Sequence, residues 1–284
     1  MYLQLISIHG LVRADAIEMG RDADTGGQVR YVLELARHLA SLDEVQRVDL
    51  ITRKLVGSGL DGEPLHEAYS RDMEVISEKC HLVRIPFADC RYMRKEEIWP
   101  WLDEEVERLL EYTRSSTLRP AVVHGHYADA GYIARHVARQ CDCPFVFTAH
   151  SLGRPKLAYL LTEGWSREQA DRVLNMERRI AEEEECVQAA GAIIVSTNHE
   201  SDTQYAEYAV PHKAPIHVIP PGTDLTKFFP YYDYDLPSAN IDERYKQARN
   251  RIQRRLKRDF WQSRTSRWYS QSVDQIDART FKPC

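Results

Sequence analysis

The feature that most constrains the fold of this 284-residue chain is an alternation of short apolar runs with stretches of helical periodicity. The apolar runs, each of a length typical of one buried strand, lie at 3–8, 48–52, 80–87, 121–126, 144–150, 192–197 and 216–220. Helical stretches lie between them, at 28–39, 95–115, 129–140, 166–190 and 198–208. Strands alternating with helices predict an α/β fold, a doubly wound and mostly parallel sheet with helices on both faces. We therefore expect a Rossmann-like domain that binds its ligand at the carboxyl ends of the strands.

The character of the chain changes after Pro221 and Gly222. An aromatic and acidic segment is followed by a basic stretch at 244–267, in which apolar residues recur every four positions. We predict a Rossmann-like domain at 1–230, a linker with a basic amphipathic helix at 231–261, and an irregular or disordered tail at 262–284. The alternative to a linker role for the basic helix is binding to an acidic partner or a membrane surface.

Composition excludes several classes of function. A net charge of −5 gives no general attraction to nucleic acid, and the first residues form neither a basic leader nor a membrane span, so we expect a cytoplasmic protein without nucleic-acid or membrane partners. Among the six cysteines, Cys141 and Cys143 form a C-x-C pair without a second pair at zinc-ligand spacing. We expect neither a metal nor a cofactor.

Two adjacent glycines, Gly26 and Gly27, stand where a polar loop meets the first helix. Glycines at a helix start let an anion or a sugar hydroxyl approach the free backbone N–H groups without a Cβ in the way. Gln28 adds an amide that both donates and accepts hydrogen bonds. The alternative is that the pair only turns the chain into a helix.

Further polar residues follow other predicted strands: His9 after the first, His124 and His126 at the end of the fourth, His150 and Lys156 after the fifth. Because the carboxyl ends of parallel strands share one edge of a sheet, we expect these groups to converge on a polar ligand. The alternative for each single histidine is a hydrogen-bonded core residue.

Three arginines are further candidates for phosphate binding, which guanidinium groups favour. Arg178 and Arg179 lie on a helix with several glutamates, where i,i+4 ion pairs on a solvated face are the alternative. Arg91 stands in a short polar segment, and the alternative interpretation is that it is an ordinary surface cation.

The segments that carry these residues resemble the sucrose-phosphate synthase family, in the same order along the chain. The matching stretches are ISIHGLVRADAIEMGRDADTGGQVRYVLELARHL, FTAHSLGRPK, RRIAEEE and VIPPGTD, which together extend over roughly residues 1–230. Sucrose synthase shares the glycine pair but approaches it through a different sequence.

The resemblance implies a retaining glucosyltransferase of the GT-B type, built from two Rossmann-like domains. The N-terminal domain holds fructose 6-phosphate, and the C-terminal domain holds UDP-glucose. Carried over by motif, Gly26, Gly27 and Gln28 lie against the fructose unit and the phosphate side of the donor, and His150 acts as the catalytic residue beside the reacting sugar.

The phosphate of the acceptor is assigned by the same resemblance to Lys156 and Arg179, with Arg178 as the alternative to Arg179. Arg91 stands where the family tends to have a lysine, and guanidinium and ammonium groups bind phosphate differently.

One departure from the family concerns the donor side. The family's donor domain carries an E-x7-E motif, whereas no glutamate follows Glu243 in this chain. We expect the chain to lack the donor domain and to be inactive alone. The alternatives are a sugar-phosphate-binding module without catalysis, which associates with a separate donor domain, or a sucrose synthase-like fragment.

Overall fold

The computed structural model describes residues 1–222 and Asn250. The chain divides into two units, Met1–Pro221 and Gly222–Cys284. Apart from Asn250, the predicted linker at 231–261 and tail at 262–284 lie outside the described residues, so both remain predictions.

The first unit contains eight strands and six α-helices. The strands are β1 Tyr2–Ile6, β2 Arg47–Arg53, β3 Met73–Ser77, β4 Cys80–Ile85, β5 Val122–His126, β6 Phe145–Thr148, β7 Ala192–Val195 and β8 Ile216–Val218. The helices are α1 Gly27–Ala40, α2 Leu102–Ser115, α3 Ala128–Cys141, α4 Gly153–Thr162, α5 Arg167–Leu174 and α6 Met176–Ala189.

The strands form one sheet in the order β3-β4-β2-β1-β5-β6-β7-β8. Neighbouring strands are parallel except for β3 and β4, which are antiparallel. In the centre of the sheet, Ile6 of β1 is in register with Ile51 of β2 on one side and with Gly125 of β5 on the other. The alternation of apolar runs with helical stretches predicts such a mostly parallel sheet.

Helices pack on both faces of the sheet. Successive residues of a strand point to opposite sides, so each central strand contributes apolar side chains to both faces. Leu5 and Leu50 pack with Val29 and Leu33 of α1 in one buried cluster. The residues that follow them in their strands, Ile6 and Ile51, belong to a second cluster that contains buried residues of α2, α3 and α6. This two-sided packing confirms the predicted doubly wound α/β fold.

The structure differs from the sequence prediction in three places. The segment Met73–Ser77 forms the edge strand β3, which the search for apolar runs does not detect. Helix α4, which begins at Gly153, lies in none of the predicted helical stretches. The predicted helix at 166–190 is two helices, since Asn175 between them is left-handed, with φ of 48°.

The last predicted helix, at 198–208, consists of a π-helical turn at Glu200–Gln204 and a 3-10 turn at Tyr205–Glu207. Within the part of the chain that the structure describes, no helix combines the length and apolarity needed to cross a bilayer.

Candidate functional site

The predicted site residues gather at the edge where the parallel strands β1, β5 and β6 end. His9 follows β1, His126 is the last residue of β5, and His150 follows β6. The helices after these strands, α1, α3 and α4, begin at the same edge. Their N-termini direct unpaired backbone N–H groups and partial positive charge toward that edge.

Helix α1 begins with an unobstructed backbone. Gly26 is its N-cap and Gly27 its first residue, and no side chain caps the helix. A Cβ added at either glycine meets no atom within 4 Å. The protein itself therefore does not require glycine at these positions, and the space beside the amides is open to a ligand.

The loop before Gly26 has a structural role. Oδ1 of Asp22 accepts hydrogen bonds from the backbone N–H groups of Asp24 and Thr25, each at 2.8 Å. Gly10, with φ of 77°, packs so closely that a Cβ there lies 2.4 Å from the carbonyl oxygen of Asp24. The Asp22 carboxylate and the close packing of Gly10 against the Asp24 backbone thus fix the path of the loop before α1.

A small cleft opens beside this loop. Its lining combines three cations and one carboxylate, that of Glu96, with aromatic and aliphatic side chains; the residues are Lys95, Glu96, Trp99, Tyr127, Lys156, Leu174 and Arg179. We call this cleft the cation pocket.

Arg179 is held in the cation pocket by a buried ion pair. Its Nε donates to Oε1 of Glu183 at 2.8 Å, and its Nη2 donates to the carbonyl and hydroxyl oxygens of Ser151, each at 2.9 Å. The guanidinium carbon lies 4.5 Å from the ring centroid of Tyr127. These contacts leave Nη1 without a partner among the described residues and accessible from the pocket.

Glu183 also fixes the start of α4. Its Oε2 accepts hydrogen bonds from the backbone N–H of Gly153, at 2.8 Å, and from the hydroxyl of Tyr208. The fully buried carboxylate therefore joins α6 to α4. In this way it positions Arg179 and Lys156 at the same pocket.

Lys156, in the first turns of α4, forms no ion pair with any described residue. Burial lowers the pKa of its ammonium group, and the neighbouring charges of Arg179 and Lys95 lower it further. Each of these effects raises the free energy of the charged ammonium, so an anion placed in the pocket would relieve it.

Lys95 is a pocket residue that the sequence analysis missed. Its backbone N–H donates to Oδ2 of Asp24 at 3.0 Å, and its ammonium group contacts Oδ1 of the same carboxylate. Although burial acts in the opposite direction, these contacts hold the pKa of Asp24 below its ordinary value. The partners are 71 positions apart, so only the fold reveals their pairing.

The structure brings neither Arg91 nor Arg178 into the lining of the cation pocket. Arg91 is exposed, with its Nε 3.6 Å from Oδ1 of the equally exposed Asp89. Arg178 is exposed and its guanidinium carbon lies 5.6 Å from the centroid of the Trp99 ring. A direct phosphate contact for either arginine remains a prediction.

A row of three histidines lies along the same strand edge. The ring centroids of His124 and His126 are 4.0 Å apart, and those of His126 and His150 are 5.2 Å apart. Nδ1 of His126 is 3.0 Å from Nε2 of His150, and the Gln28 amide donates to the His126 carbonyl oxygen at 3.3 Å. Gln28 and His150 are therefore connected through His126.

The histidine row is held in the neutral form. Burial lowers the pKa of His124 to about 3 and that of His126 well below its ordinary value. Burial also lowers the pKa of His150 to about 3, and charges on His124 and His9 contribute. Neutral imidazoles can both donate and accept hydrogen bonds, which suits contacts with hydroxyl groups.

The site thus has two parts. The cation pocket holds Lys156 and Arg179, while Gly26, Gly27, Gln28 and His150 lie beside the histidine row and outside the lining of that pocket. Asp24 connects them, because it stands two residues before Gly26 and pairs with Lys95. No group of histidine, cysteine or acidic residues in the described part of the chain is arranged to hold a metal ion.

The mostly parallel sheet with helices on both faces is the α/β fold of GT-B-like glycosyltransferases. The sequence profile of Glycosyltransferase Family 4 matches residues 25–227, and the chain belongs to that family.

Within that family the chain is a homologue of the sucrose-phosphate synthases. It is 42% identical over 231 residues to the sucrose-phosphate synthase of Spinacia oleracea, a match that covers 73% of this chain and 22% of that protein. Sucrose-phosphate synthase 4 of Arabidopsis thaliana is 43% identical over 227 residues, covering 73% and 21%. The chain spans about a fifth of the length of these relatives.

A solved structure agrees with this relationship. The sucrose-phosphate synthase of Thermosynechococcus elongatus superimposes with a TM-score of 0.62 at 25% sequence identity, covering 83% of this chain and 53% of that one.

Proposed function

We propose that the chain holds the acceptor in a glucosyl transfer from UDP-glucose to fructose 6-phosphate, which gives sucrose 6-phosphate. The observation that carries the proposal is the cation pocket. Lys156 has no acidic partner among the described residues, and Nη1 of Arg179 is free beside it. A phosphate monoester matches these groups, since guanidinium and ammonium donors are the usual ligands of phosphate.

The proposed roles follow from the two parts of the site. Lys156, Arg179 and Lys95 bind the 6-phosphate in the cation pocket. The sugar then extends toward Gln28 and His150, whose amide and neutral imidazole suit hydroxyl groups. Arg91 and Arg178 are not assigned a contact with the phosphate, because neither lines the pocket.

The proposed chemistry is displacement on the front face of the donor sugar. The acceptor hydroxyl oxygen forms a bond to the anomeric carbon of glucose while the bond from that carbon to UDP breaks. UDP leaves with the electron pair, and the hydroxyl proton passes to its departing phosphate oxygen. Stabilisation of the developing negative charge lowers the barrier of such a step. The open amides at Gly26 and Gly27 contribute positive potential on that side.

The experiment is an acceptor comparison with UDP-glucose as donor. The full chain is incubated with fructose 6-phosphate, fructose or glucose 6-phosphate, and released UDP and the sugar product are measured. The proposal expects the chain to bind fructose 6-phosphate and Lys156→Ala to bind it more weakly, with sucrose 6-phosphate formed only when a donor domain is also supplied. The matched control is Lys79→Ala, which removes a lysine that contacts only the Leu42 carbonyl oxygen.

Each other outcome has a distinct meaning. Transfer to fructose in preference to its phosphate indicates a sucrose synthase-like activity. Binding of fructose 6-phosphate without UDP release, even when a donor domain is supplied, indicates a non-catalytic sugar-phosphate-binding module. Absence of both binding and transfer contradicts the proposal.

A further inference from the structure

A second buried pair of polar groups lies next to the cation pocket. Nδ1 of His9 is 2.8 Å from Oδ2 of Asp129, which is in the first turn of α3. The histidine is 5% exposed and the aspartate is fully buried. Oδ1 of Asp129 also accepts the backbone N–H of Ala130 at 2.6 Å, so the carboxylate has a fixed orientation. A carboxylate at Nδ1 favours the tautomer that carries its proton there, which leaves Nε2 as a hydrogen-bond acceptor.

The other nitrogen of His9 is open. Nε2 forms no hydrogen bond with a described residue, yet it is not sealed from solvent. A histidine that only stabilises a core has no need of an accessible acceptor, whereas a ligand-binding histidine does.

The position of His9 places this acceptor between the two parts of the site. Its ring meets the ring of Tyr127 edge to face, with the centroids 4.6 Å apart, and Tyr127 lines the cation pocket beneath Arg179. On the other side, β1, which His9 follows, is paired with β5, which ends in His126 of the histidine row. A molecule that extends from the cation pocket toward the histidine row therefore passes His9.

The backbone at Tyr127 supports a functional role for this arrangement. Its φ is 79° and its ψ is 168°, a conformation that is essentially restricted to glycine. Residues strained in this way cost about 1–3 kcal/mol and cluster at functional sites. The strained tyrosine brings its ring between His9 and Arg179.

We propose that Nε2 of His9 accepts a hydrogen bond from a hydroxyl group of the sugar phosphate whose phosphate lies in the cation pocket, and that Asp129 is the positioning residue for this imidazole. The inference rests on the proposed function, because it needs a sugar phosphate in the pocket. It adds a contact that selects for the sugar, in contrast to the contacts of Lys156 and Arg179 with the phosphate.

The direct test is nitrogen NMR of the ¹⁵N-labelled full chain, with the His9 signals assigned by comparison with His9→Gln. The expected spectrum shows the Nδ1–H tautomer of His9. Fructose 6-phosphate shifts the Nε2 resonance, and inorganic phosphate leaves it in place. The control is His38→Gln, since His38 is an exposed residue of α1 whose side chain contacts the Glu34 carbonyl oxygen and lies outside the lining of the cation pocket.

Affinity gives an independent readout. His9→Gln is expected to weaken binding of fructose 6-phosphate about tenfold, the effect of one lost hydrogen bond, while binding of inorganic phosphate changes less than about twofold. Asp129→Asn is expected to cause a similar loss and to change the tautomer of His9, which a merely structural role would not do. If the substituted proteins fail to fold, the shift of the Nε2 resonance that fructose 6-phosphate causes in the unsubstituted chain still tests the contact with His9.

The outcomes separate this inference from the proposed function. Binding of fructose 6-phosphate with no change at Nε2 overturns the inference and leaves the proposed function intact. An equal loss of inorganic phosphate and fructose 6-phosphate in His9→Gln also overturns it, because His9 then only supports the pocket. If the unsubstituted chain binds neither compound, the proposed function fails and the inference fails with it.

Discussion

Nε of Arg179 lies 2.8 Å from Oε1 of Glu183, one helical turn further along α6, in an ion pair that is almost completely buried. This pair decides which of two adjacent arginines faces the cation pocket. Arg178 points to the surface and stacks against Trp99 instead.

The first prediction concerns the stability of variants at these two arginines. Arg179→Ala is expected to lower the free energy of unfolding by about 3–5 kcal/mol, because it leaves a buried carboxylate without its counter-ion. Arg178→Ala, which loses only an exposed stacking contact, is expected to cost less than about 1 kcal/mol. Urea unfolding followed by circular dichroism measures both. Equal losses would contradict the buried-pair interpretation.

The second prediction concerns the glycines. A methyl group at Gly27 has open space at a helix start, so Gly27→Ala is expected to change the free energy of unfolding by less than about 1 kcal/mol. Gly10→Ala is expected to destabilise the protein by about 2 kcal/mol or more, because of the contact with Asp24 and a positive φ. Thermal unfolding distinguishes the two variants.

Gly27→Ala should affect ligand binding more strongly than it affects stability. If ligand atoms use the open space, Gly27→Ala lowers the affinity for fructose 6-phosphate about fivefold or more despite its intact stability. Unchanged affinity would support the alternative that the glycine pair only turns the chain into α1.

The third prediction concerns pH. The fold lowers the pKa of His124 from 6.5 to about 3, so the folded chain binds fewer protons than the unfolded chain between these values. The stabilising contribution is therefore complete above pH 6.5 and is lost as the pH falls toward 3, at up to about 1.4 kcal/mol per pH unit. His124→Gln should make the dependence of the unfolding free energy on pH less steep between pH 6 and pH 5.

The control for this comparison is His38→Gln, which removes an exposed histidine and should leave the slope unchanged. Urea titrations at several pH values supply the slopes. Identical slopes in His124→Gln and the unsubstituted chain would show that His124 does not titrate as described.

The fourth prediction separates the predicted phosphate ligand Arg91 from the observed pocket residue Lys95. Lys95→Ala is expected to weaken binding of fructose 6-phosphate about tenfold, the effect of one charge-assisted contact. Arg91→Ala is expected to leave it within about twofold, because its side chain lies outside the pocket. Isothermal titration measures both. A larger effect at Arg91 would mean that the occupied site extends beyond the cation pocket.

Much of the architecture follows from local sequence. Central strands buried on both faces read as continuous apolar runs, so β1, β5 and β6 were predictable. The edge strand β3 alternates exposed and half-buried residues and lacks such a run. Helix α4 contains Pro155 near its start. A helix tolerates proline in its first turn, but in the sequence a proline suggests a break in regular structure.

The site is less predictable than the fold because it depends on contacts between distant residues. Strand-end position predicts that His150 and Lys156 share one edge of the sheet. Nothing local to Lys95 distinguishes it from a surface lysine, since its place depends on Asp24, 71 positions away in the chain. The choice between Arg178 and Arg179 likewise depends on which one faces Ser151 and Glu183.

The central claim is that the cation pocket binds the phosphate of a sugar phosphate, and calorimetric titration of the full chain with fructose 6-phosphate and with fructose tests it most directly. We expect a preference for the phosphate of about tenfold to a hundredfold, as one or two hydrogen bonds to charged groups provide. Lys156→Met keeps most of the aliphatic stem and should remove most of that preference. Equal affinity for the two sugars, or an undiminished preference in Lys156→Met, would contradict the account.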